Sequence, residues 1–496
     1  MTQATVCSTG IEGLDAILAG GLPRDRMYAI EGTAGVGKTT LALQFLMEGV
    51  QRGEKGLYIS LSETKPELES VARSHGWSLD DVAVVDMSTL QQFVAPAQST
   101  VFHSSEVELN QATKTLIKNI EDAEPSRIVF DSLFEMRLLA QSPIRYRRQM
   151  LALKQVFGLR KCTVLLLEDT TLVPSDMQIA NLVNGVIQLE SMKTEYGSER
   201  RRLSITKLRG VNFIGGSHDY VIRKGGLQVF PRLIAYDRST DYPTGIASSG
   251  LKNLDLLLGG GLNRGTSSLI LGPAGSGKSI IVTQFAYAAA ERGDRVLVLS
   301  FEESTRNMME RAKLLGVPLD QHVANGIVTI MQIDPADVTP GELAQVVMKR
   351  VEKHDVKVVV IDSLNGYLQA MPQEQFLILH MHELLAFLGR QGVVTLMILA
   401  QHGLVIDMST PVDVTYLADT VVVLRYFEVH GHIRKAISVV KRRNGPHENT
   451  IREMSIVNNR LVIGEQIEGL QGVLTGPPVT EIVSKPKRRH ASEPAT

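Results

Sequence analysis

Residues 27–39 read MYAIEGTAGVGKT, and residues 267–279 read SSLILGPAGSGKS. Each stretch is a short apolar run followed by a turn of the form G-x-x-x-x-G-K-[ST] and the start of an amphipathic run, which predicts strand, turn and helix. Glycines let the backbone fold around phosphates with its N–H groups pointing inward, and the helix N-terminus adds positive potential. The sequence therefore predicts two phosphate-binding loops.

The sequence around these loops is duplicated. The first copy opens with GIEGLDAILAGGL at Gly10 and the second with GLKNLDLLLGGGL at Gly250, so the offset is 250 − 10 = 240. The same offset separates Lys38 from Lys278, and Asp131 matches Asp362 at an offset of 362 − 131 = 231. A period this long indicates two whole domains of one fold rather than a solenoid.

Both copies alternate strands and helices. In the first, GLYISLS, RIVFD and KCTVLLLED are predicted strands; in the second, RVLVLSF, KVVVID and VVTLMILA match them. This pattern predicts an α/β fold, a mainly parallel sheet flanked by helices in each domain. We place the domains at residues 1–240 and 241–475, joined by a turn-rich junction at 236–249, with a disordered basic tail at 476–496.

Composition narrows the class of protein. The 496 residues carry a formal net charge of −1, so no global field draws the chain to nucleic acid or to an anionic membrane. The two cysteines, Cys7 and Cys162, match no zinc spacing and fit a reducing compartment, which favours the cytoplasm. Because no signal peptide or stretch of about 18 apolar residues is present, no membrane partner is expected.

The first loop and the strand RIVFD predict a Mg²⁺–ATP site. Lys38 is expected to reach the β and γ phosphates, and Thr39 to ligate Mg²⁺. Asp131 ends its strand beside the loop and is the expected carboxylate partner of Mg²⁺. The predicted nucleotide contacts of this site are Gly32, Thr33, Ala34, Gly35, Val36, Gly37, Lys38 and Thr39.

The second loop predicts the same chemistry. Lys278 takes the phosphate-binding role, and Ser279 and Asp362 are the expected Mg²⁺ ligands. The predicted nucleotide contacts are Gly272, Pro273, Ala274, Gly275, Ser276, Gly277, Lys278 and Ser279. ATP and Mg²⁺ are therefore the expected cofactors of both domains.

At this point the sequence resembles the KaiC family of circadian-clock-type ATPases, which consist of two tandem RecA-like P-loop NTPase domains. The resemblance covers about residues 8–475 and includes the duplicated opening motif, the two loops, and an acidic segment after the next strand. It implies that Glu63 in the first domain, and Glu302 or Glu303 in the second, polarise the attacking nucleophile. The first domain departs from the pattern because Ser62 stands where the second has Glu302.

The resemblance also implies that the chain assembles into a hexamer and that it phosphorylates itself. Each copy ends in a basic segment, ITKLRG and SVVKRRNG, which in the family contacts the nucleotide of a neighbouring subunit in a hexamer. The implied acceptor of autophosphorylation is Thr415, followed by Tyr416, and the family's regulatory role implies a protein partner of unknown identity. The implied nucleotide contacts across the subunit boundary are Lys207, Leu208, Arg209, Lys441, Arg442 and Arg443.

Three functions remain open from the residues alone. The first is an ATPase, with possible serine/threonine autokinase activity, that acts as a timing or signalling switch. The second is a DNA-dependent ATPase on the same fold, with basic clusters at residues 145–148 and 200–202, although aromatics are only 5% and nucleic acid is not favoured. The third is an ATP-gated scaffold without turnover, which Ser62 favours for the first domain.

Overall fold

The computed structural model describes residues 5–87, 115–140, 142–171, 179–193, 197–233, 242, 244–369, 377–401, 415–468, 470–471, 473 and 479–480. The chain divides into two compact units, Met1–Arg232 with Thr339–Gln345, and Leu233–Val338 with Val346–Thr496. Within the described ranges, no helix is both long and apolar enough to cross a lipid bilayer.

The first unit contains one nine-stranded sheet and a two-stranded ribbon. Its helices are α1 Glu12–Ile17, α2 Lys38–Gln51, α3 Lys65–His75, α4 at 115–123, α5 Leu133–Ala140 and α6 Pro143–Leu159, with a 3₁₀ turn at Ile179–Asn181. Its strands are β1 Val6–Cys7, β2 Leu22–Pro23, β3 Met27–Gly32, β4 Gly56–Ser60, β5 Val82–Asp86, β6 Arg127–Asp131, β7 Thr163–Asp169, β8 Gly185–Met192, β9 Arg200–Leu208, β10 Ser217–Arg223 and β11 Gly226–Phe230.

The large sheet has the order β5-β4-β6-β7-β3-β8-β9-β10-β11. The strands from β5 to β8 in this order run parallel, and β8 to β11 continue as an antiparallel extension. The strand that leads into the first glycine-rich loop, β3, lies in the interior of the sheet between β7 and β8. The carboxyl ends of its parallel neighbours therefore meet beside the loop, the position where open α/β sheets bind ligands.

The second unit repeats this plan, as the sequence offset requires. Its sheet has the order β16-β15-β17-β18-β14-β19-β20-β21-β22, which matches the first sheet strand for strand. The helices are α7 Lys252–Leu257, α8 Lys278–Glu291, α9 Thr305–Leu314, α10 Asp320–Ala324, α11 Pro340–His354, α12 Leu364–Gln369 and α13 Leu377–Arg390, with a 3₁₀ turn at Thr415–Leu417. The strands are β12 Ile246–Ala247, β13 Leu262–Asn263, β14 Ser267–Gly272, β15 Arg295–Ser300, β16 Val328–Gln332, β17 Val356–Asp362, β18 Val394–Ala400, β19 Thr420–Val429, β20 His432–Arg442, β21 Arg452–Val457, β22 Arg460–Gln466, β23 Leu470–Gln471 and β24 Val479–Thr480.

Alternating strand residues build a core on each face of the first sheet. On β3, Tyr28 and Ile30 face the side covered by α2, whereas Met27 and Ala29 face the side covered by α5 and α6. Parallel strands buried on both faces need continuous apolar runs, which explains why the predicted strands lack polar alternation. Each buried Phe or Leu on α2 and α6 stabilises the unit by about 1.5–3 kcal/mol. These two cores fix the positions of the strand ends that carry the site.

Two sequence expectations are corrected at their ends. The predicted strand GLYISLS stops at Ser60, because the chain turns away there and Leu61 N donates a hydrogen bond to Asp131 O at 2.6 Å. The tail predicted to be disordered from residue 476 contains an ordered element, since Val479 and Thr480 pair with Gln471 and Leu470. Residues 481–496 lie outside the described residues, as does the predicted domain boundary at 240–241.

Candidate nucleotide sites

The first glycine-rich loop connects β3 to α2 in a shape that only glycine permits at two positions. Gly37, the N-cap of α2, has φ 99°, and a Cβ there would lie 2.5 Å from Ile222 Cδ1. A Cβ on Gly32 would lie 2.5 Å from the carbonyl oxygen of Leu189. The loop thus opens directly into the N-terminus of a helix of 14 residues, where unpaired N–H groups attract anions.

The Lys38 side chain curls back over this loop. Its Nζ donates to Gly32 O at 2.6 Å and Thr33 O at 2.8 Å, and it lies 3.6 Å from Asp169 Oδ2. Burial lowers the pKa of Lys38, and the charges of Asp169 and Asp131 oppose that shift. The ammonium group is therefore held at the mouth of the loop, where an incoming phosphate can replace its carbonyl and carboxylate partners.

The second loop has the same geometry. Gly277 has φ 111°, and a Cβ on it would lie 2.5 Å from Met454 Cε. Lys278 Nζ donates to Gly272 O at 2.9 Å and to Pro273 O at 2.7 Å. At the position of Asp169, the second unit has Ala400, which pairs with Gly272 as Asp169 pairs with Gly32. The two loops are therefore equivalent, but the lysines have different carboxylate neighbours.

A hydroxyl and a carboxylate meet beside each loop. Thr39 Oγ1 lies 3.5 Å from Asp131 Oδ2, and Tyr58 donates its hydroxyl to the same oxygen at 2.5 Å. In the second unit, Ser279 donates to Asp362, and both aspartates are less than a tenth exposed. Burial disfavours the ionised form of each aspartate and therefore raises its pKa.

This donor set fits Mg²⁺. The ion prefers hard oxygen ligands and is usually held by one or two protein groups together with phosphates. Thr39 and Asp131 in the first site, and Ser279 and Asp362 in the second, would hold it there. Among the described residues, no group of three or more His, Cys, Asp and Glu is placed to hold a metal ion.

The acidic loop follows β4 and β15 in both units. Ser60 Oγ donates to Glu63 O at 2.5 Å, and Ser300 Oγ donates to Glu303 O at 2.6 Å. The two acidic loops therefore adopt the same type of turn. Glu63 Oε2 is buried and accepts no hydrogen bond from the described part of the chain. Burial, followed by the negative charge of Asp131, raises the pKa of Glu63. The fold thus brings the predicted base of the first site close to the predicted metal ligand.

The second acidic loop carries two carboxylates with different partners. Glu302 accepts a hydrogen bond from the hydroxyl of Ser363, which follows Asp362. Glu303 lies 3.0 Å from Arg311 Nη2. Burial raises the pKa of Glu303, although Arg311 acts in the opposite direction. Burial lowers the pKa of Lys278, and the charges of Asp362 and Glu302 oppose that shift.

The basic segments lie away from the loop of their own unit. Lys207 pairs with Val186 near the start of β8, whereas β8 runs parallel to β3 and the loop follows the end of β3. In the second unit, Lys441 pairs with Val421 near the start of β19 in the same way. The structure therefore places these cations at the sheet edge opposite the nucleotide loop of the same unit.

Other predicted contacts across a boundary lie at the same edge. Lys207 Nζ donates to Ala180 O at 2.5 Å, and Arg209 N donates to Asn184 O at 2.9 Å. In the second unit, this edge also carries the predicted phosphoacceptor: Lys441 Nζ donates to Thr415 O at 2.9 Å, and Arg443 Nη2 donates to Tyr416 O at 3.0 Å. Leu208 pairs with Gly185, and Arg442 Nη2 donates to Asn263 Oδ1 at 3.3 Å.

Three residues of the first site were missed by sequence reasoning. Tyr58 reads as a core residue, and nothing in GLYISLS signals its bond to Asp131. Asp169 had a weak signal, because the strand LLLED ends in two acids beside the loop strand. Glu135 also had one, since it follows Asp131 by four residues where Gly366 follows Asp362.

The two basic clusters lie on different elements of the first unit. Arg200 is buried, Arg201 pairs with Glu199 at 2.9 Å, and Arg202 lies 3.7 Å from Asp219. These partners neutralise the cluster at the start of β9. The cluster at 145–148 lies on α6, on the opposite face of the sheet from α2.

The fold and the two loops define the class of protein: a duplicated RecA-like P-loop ATPase. A family model described as the KaiC ATPase matches residues 7–234 and 247–468. The chain belongs to the KaiC family of ATPases.

Curated relatives match over nearly the full length. The chain is 28% identical over 495 residues to the circadian clock protein KaiC3 of Synechocystis sp., covering 97% of this chain and 96% of that protein. It is 27% identical over 496 residues to the circadian clock oscillator protein KaiC of Thermostichus vulcanus, covering 95% and 91%. It is 25% identical over 493 residues to that of Prochlorococcus marinus, covering 96% of each.

Proposed function

We propose that this chain binds Mg²⁺–ATP at both loops and hydrolyses it, and that the second unit also transfers phosphate to Thr415, so that the protein acts as a phosphorylation-dependent switch. One observation carries the proposal: in both units the loop lysine, the metal-binding aspartate and a loop glutamate converge at the carboxyl edge of one sheet. The names of its relatives, which are clock proteins, support a timing or signalling role and a regulatory protein partner.

The reaction at the first site follows from these groups. A water molecule attacks the γ-phosphorus, the bond from that phosphorus to the β–γ bridging oxygen breaks, and ADP and phosphate leave. Glu63 accepts a proton from the water, a role that suits a buried carboxylate with a raised pKa and an unpaired oxygen. Lys38 and the helix N-terminus stabilise the charge on the phosphate oxygens.

Subunit assembly is proposed from the position of the basic segments. Lys207 and Lys441 cannot serve the loop of their own unit, because the register puts them at the opposite sheet edge. A head-to-tail arrangement of identical chains would bring this edge to the neighbour's loop, and a rotation that closes gives a ring. A hexamer is the proposed ring, by resemblance to the family.

Phosphate transfer is proposed to occur between subunits for the same reason. Thr415 lies beside Lys441 at the edge opposite its own loop. Its hydroxyl oxygen would attack the γ-phosphorus of the neighbour's ATP, the bond from that phosphorus to the β–γ bridging oxygen would break, and ADP would leave. The proton of the hydroxyl would pass to Glu302 or Glu303 of that neighbour. Threonine suits this step better than Tyr416, whose longer side chain is half exposed.

The test is incubation of the full chain with ATP labelled at the γ-phosphate, without DNA. We expect released phosphate and labelled protein. Thr415→Val should remove the label, whereas the matched variant Tyr416→Phe should retain it. Absence of phosphate release, or release only with added DNA, would contradict the proposed ATPase.

Mixed assemblies test transfer between subunits. One chain carries Lys278→Ala and keeps Thr415, and the other carries Thr415→Val and keeps Lys278. We expect label on the Lys278→Ala chain, because its acceptor lies at the neighbour's intact site. Label in neither chain, with both homogeneous controls behaving as expected, would contradict transfer across the boundary.

A further inference from the structure

Each metal-binding aspartate is followed by a serine whose hydroxyl holds a carboxylate. In the second unit, Ser363 donates to Glu302, which comes from the acidic loop. In the first unit, Ser132 donates to Glu135 at 2.5 Å, which comes from helix α5. The serines occupy equivalent positions, so the two sites hold a carboxylate with the same hydroxyl but supply it from different elements.

The repeat explains why the carboxylate can come from the helix. Glu135 is equivalent to Gly366, since each lies four residues after the metal-binding aspartate. A Cβ added at Gly366 would lie 2.8 Å from Phe301 Cβ and 3.7 Å from Glu302 Cγ. A side chain at this helical position therefore points at the start of the acidic loop, toward the space that Glu302 occupies.

The two units differ at two equivalent positions, one in the acidic loop and one in the helix, and the differences complement each other. Where the loop has Glu302, the helix has a glycine that leaves it room. Where the loop has Ser62, which lacks a carboxylate, the helix has Glu135. Apart from Asp169 beside Lys38, which the second site lacks, the acidic groups that correspond at the sheet edge are Asp131, Glu63 and Glu135 in the first site and Asp362, Glu302 and Glu303 in the second.

The electrostatic surroundings agree with this geometry and limit the role. Burial is the main cause that raises the pKa of both aspartates, and the charge of Glu135 raises that of Asp131 as the charge of Glu302 raises that of Asp362. Glu302 also acts on Lys278, whereas the carboxylates that act on Lys38 are Asp169 and Asp131. Because Glu135 accepts a hydrogen bond from Ser132, the residue directly after Asp131, it lies on the Asp131 side of the site.

We infer that Glu135 supplies the first site with the carboxylate that Ser62 does not, and that it enters from helix α5 instead of the acidic loop. This inference rests on the proposed ATPase function. Glu135 is a positioning residue: it orients Ser132 and adds negative charge beside Asp131, while Glu63 remains the base. The first site therefore hydrolyses ATP although Ser62 stands where the second site has Glu302.

The experiment uses the full chain with Glu302→Gln and Glu303→Gln, so that the remaining phosphate release comes from the first site. Adding Glu135→Gln, which keeps the shape but removes the charge, should lower kcat about tenfold with little change in the KM for ATP. The Mg²⁺ concentration that gives half-maximal rate should rise. A merely structural role for Glu135 would not move the Mg²⁺ dependence.

A rescue variant makes the test specific. Glu135→Gly with Ser62→Glu gives the first site the arrangement of the second, and we expect a rate within about threefold of the parent, whereas Glu135→Gly alone should be as slow as Glu135→Gln. An unchanged rate and Mg²⁺ dependence in Glu135→Gln, or a double variant no faster than Glu135→Gly, would overturn the inference. If the parent chain binds ATP but releases no phosphate, the proposed ATPase function of the first site is wrong. If the parent releases phosphate and Glu135→Gln changes neither the rate nor the Mg²⁺ dependence, only the role of Glu135 is wrong.

Discussion

The two nucleotide sites share every group that would touch phosphate and differ in the residues behind those groups. Both have the glycine-rich loop, the lysine, the hydroxyl–aspartate pair and the acidic turn. The first site is surrounded by polar side chains at positions that are apolar in the second. The pairs are Tyr58 and Val298, Arg137 and Leu368, Glu168 and Leu399, and Asp169 and Ala400. Duplication has therefore preserved the phosphate-binding geometry while the electrostatic surroundings diverged.

The sharpest difference is a buried ion pair. Arg137 and Glu168 are 5% and 2% exposed and contact each other, and Arg137 Nε and Nη1 have no hydrogen-bond partner among the residues that the structure describes. Burial raises the pKa of Glu168 to about 7, although Arg137 acts in the opposite direction. Such a pair is costly to desolvate, and the second unit shows that leucines can fill the same positions.

The largest expected effect comes from breaking this pair. Arg137→Leu leaves a buried carboxylate without its partner and should lower the free energy of unfolding of the first unit by about 3–5 kcal/mol. The double variant Arg137→Leu with Glu168→Leu adopts the residues of the second unit and should recover that loss. Denaturant unfolding followed by the fluorescence of Trp77, the single tryptophan, reports on the first unit. A double variant as unstable as Arg137→Leu would contradict this comparison.

The pH dependence of stability isolates Glu168. The pKa of Glu168 is about 7 in the folded chain, against the ordinary value of 4.5 for a glutamate. Between these values the folded state binds more protons than the unfolded state, so the contribution of Glu168 to stability is complete below about pH 4.5 and is lost as the pH rises to about 7. We expect wild type to lose up to about 3 kcal/mol over this range relative to the double leucine variant. Parallel stability curves would show that Glu168 stays ionised throughout.

Substitution of the two loop lysines tests the loop geometry that the two sites share. Lys38→Ala should weaken nucleotide binding at the first site by at least about 100-fold and leave the second site intact, and Lys278→Ala should do the converse. Because ATP is proposed to lie between subunits, the variant with both substitutions should also assemble less. Titration with a fluorescent ATP analogue measures the first effect and size-exclusion chromatography the second. An unchanged hexamer in the doubly substituted chain would contradict the boundary position.

A smaller effect is expected from Asp169. Hydrogen bonds from Thr171 and the charge of Lys38 outweigh burial and lower the pKa of Asp169, so it is ionised at neutral pH and competes with phosphate for Lys38. Asp169→Asn removes this competition and should tighten nucleotide binding at the first site by about tenfold. A larger effect is not expected, because solvent screens the partly exposed carboxylate. Ala400→Asp should weaken the second site by a similar factor. Weaker binding in Asp169→Asn, together with tighter binding in Ala400→Asp, would show instead that Asp169 helps to bind the nucleotide.

The phosphate-binding parts were predictable because their signals are local. The loop, its strand and its helix occupy consecutive residues, and Asp131 and Asp362 end apolar strands that must lie beside it in a parallel sheet. The repeat then supported each assignment twice. These are features in which spacing along the chain determines position in space.

The residues behind the phosphate site could not be predicted in the same way. Tyr58, Glu135 and Asp169 come from three different elements, and each meets its partner only after the sheet has formed. Residue type alone does not distinguish them from core or surface residues. Comparison of the two copies at the offset of 231 does reveal Glu135, because an acid stands against a glycine. The antiparallel extension likewise became clear only from the register of β8 to β11.

Each of the two loops is proposed to bind one Mg²⁺–nucleotide. Isothermal titration calorimetry of the full chain with Mg²⁺ and a non-hydrolysable ATP analogue tests it most directly. Two nucleotides should bind per chain, and only one in the Lys38→Ala variant. A folded wild-type chain that gives no binding heat at any temperature tested, or a Lys38→Ala chain that still binds two nucleotides, would contradict the claim.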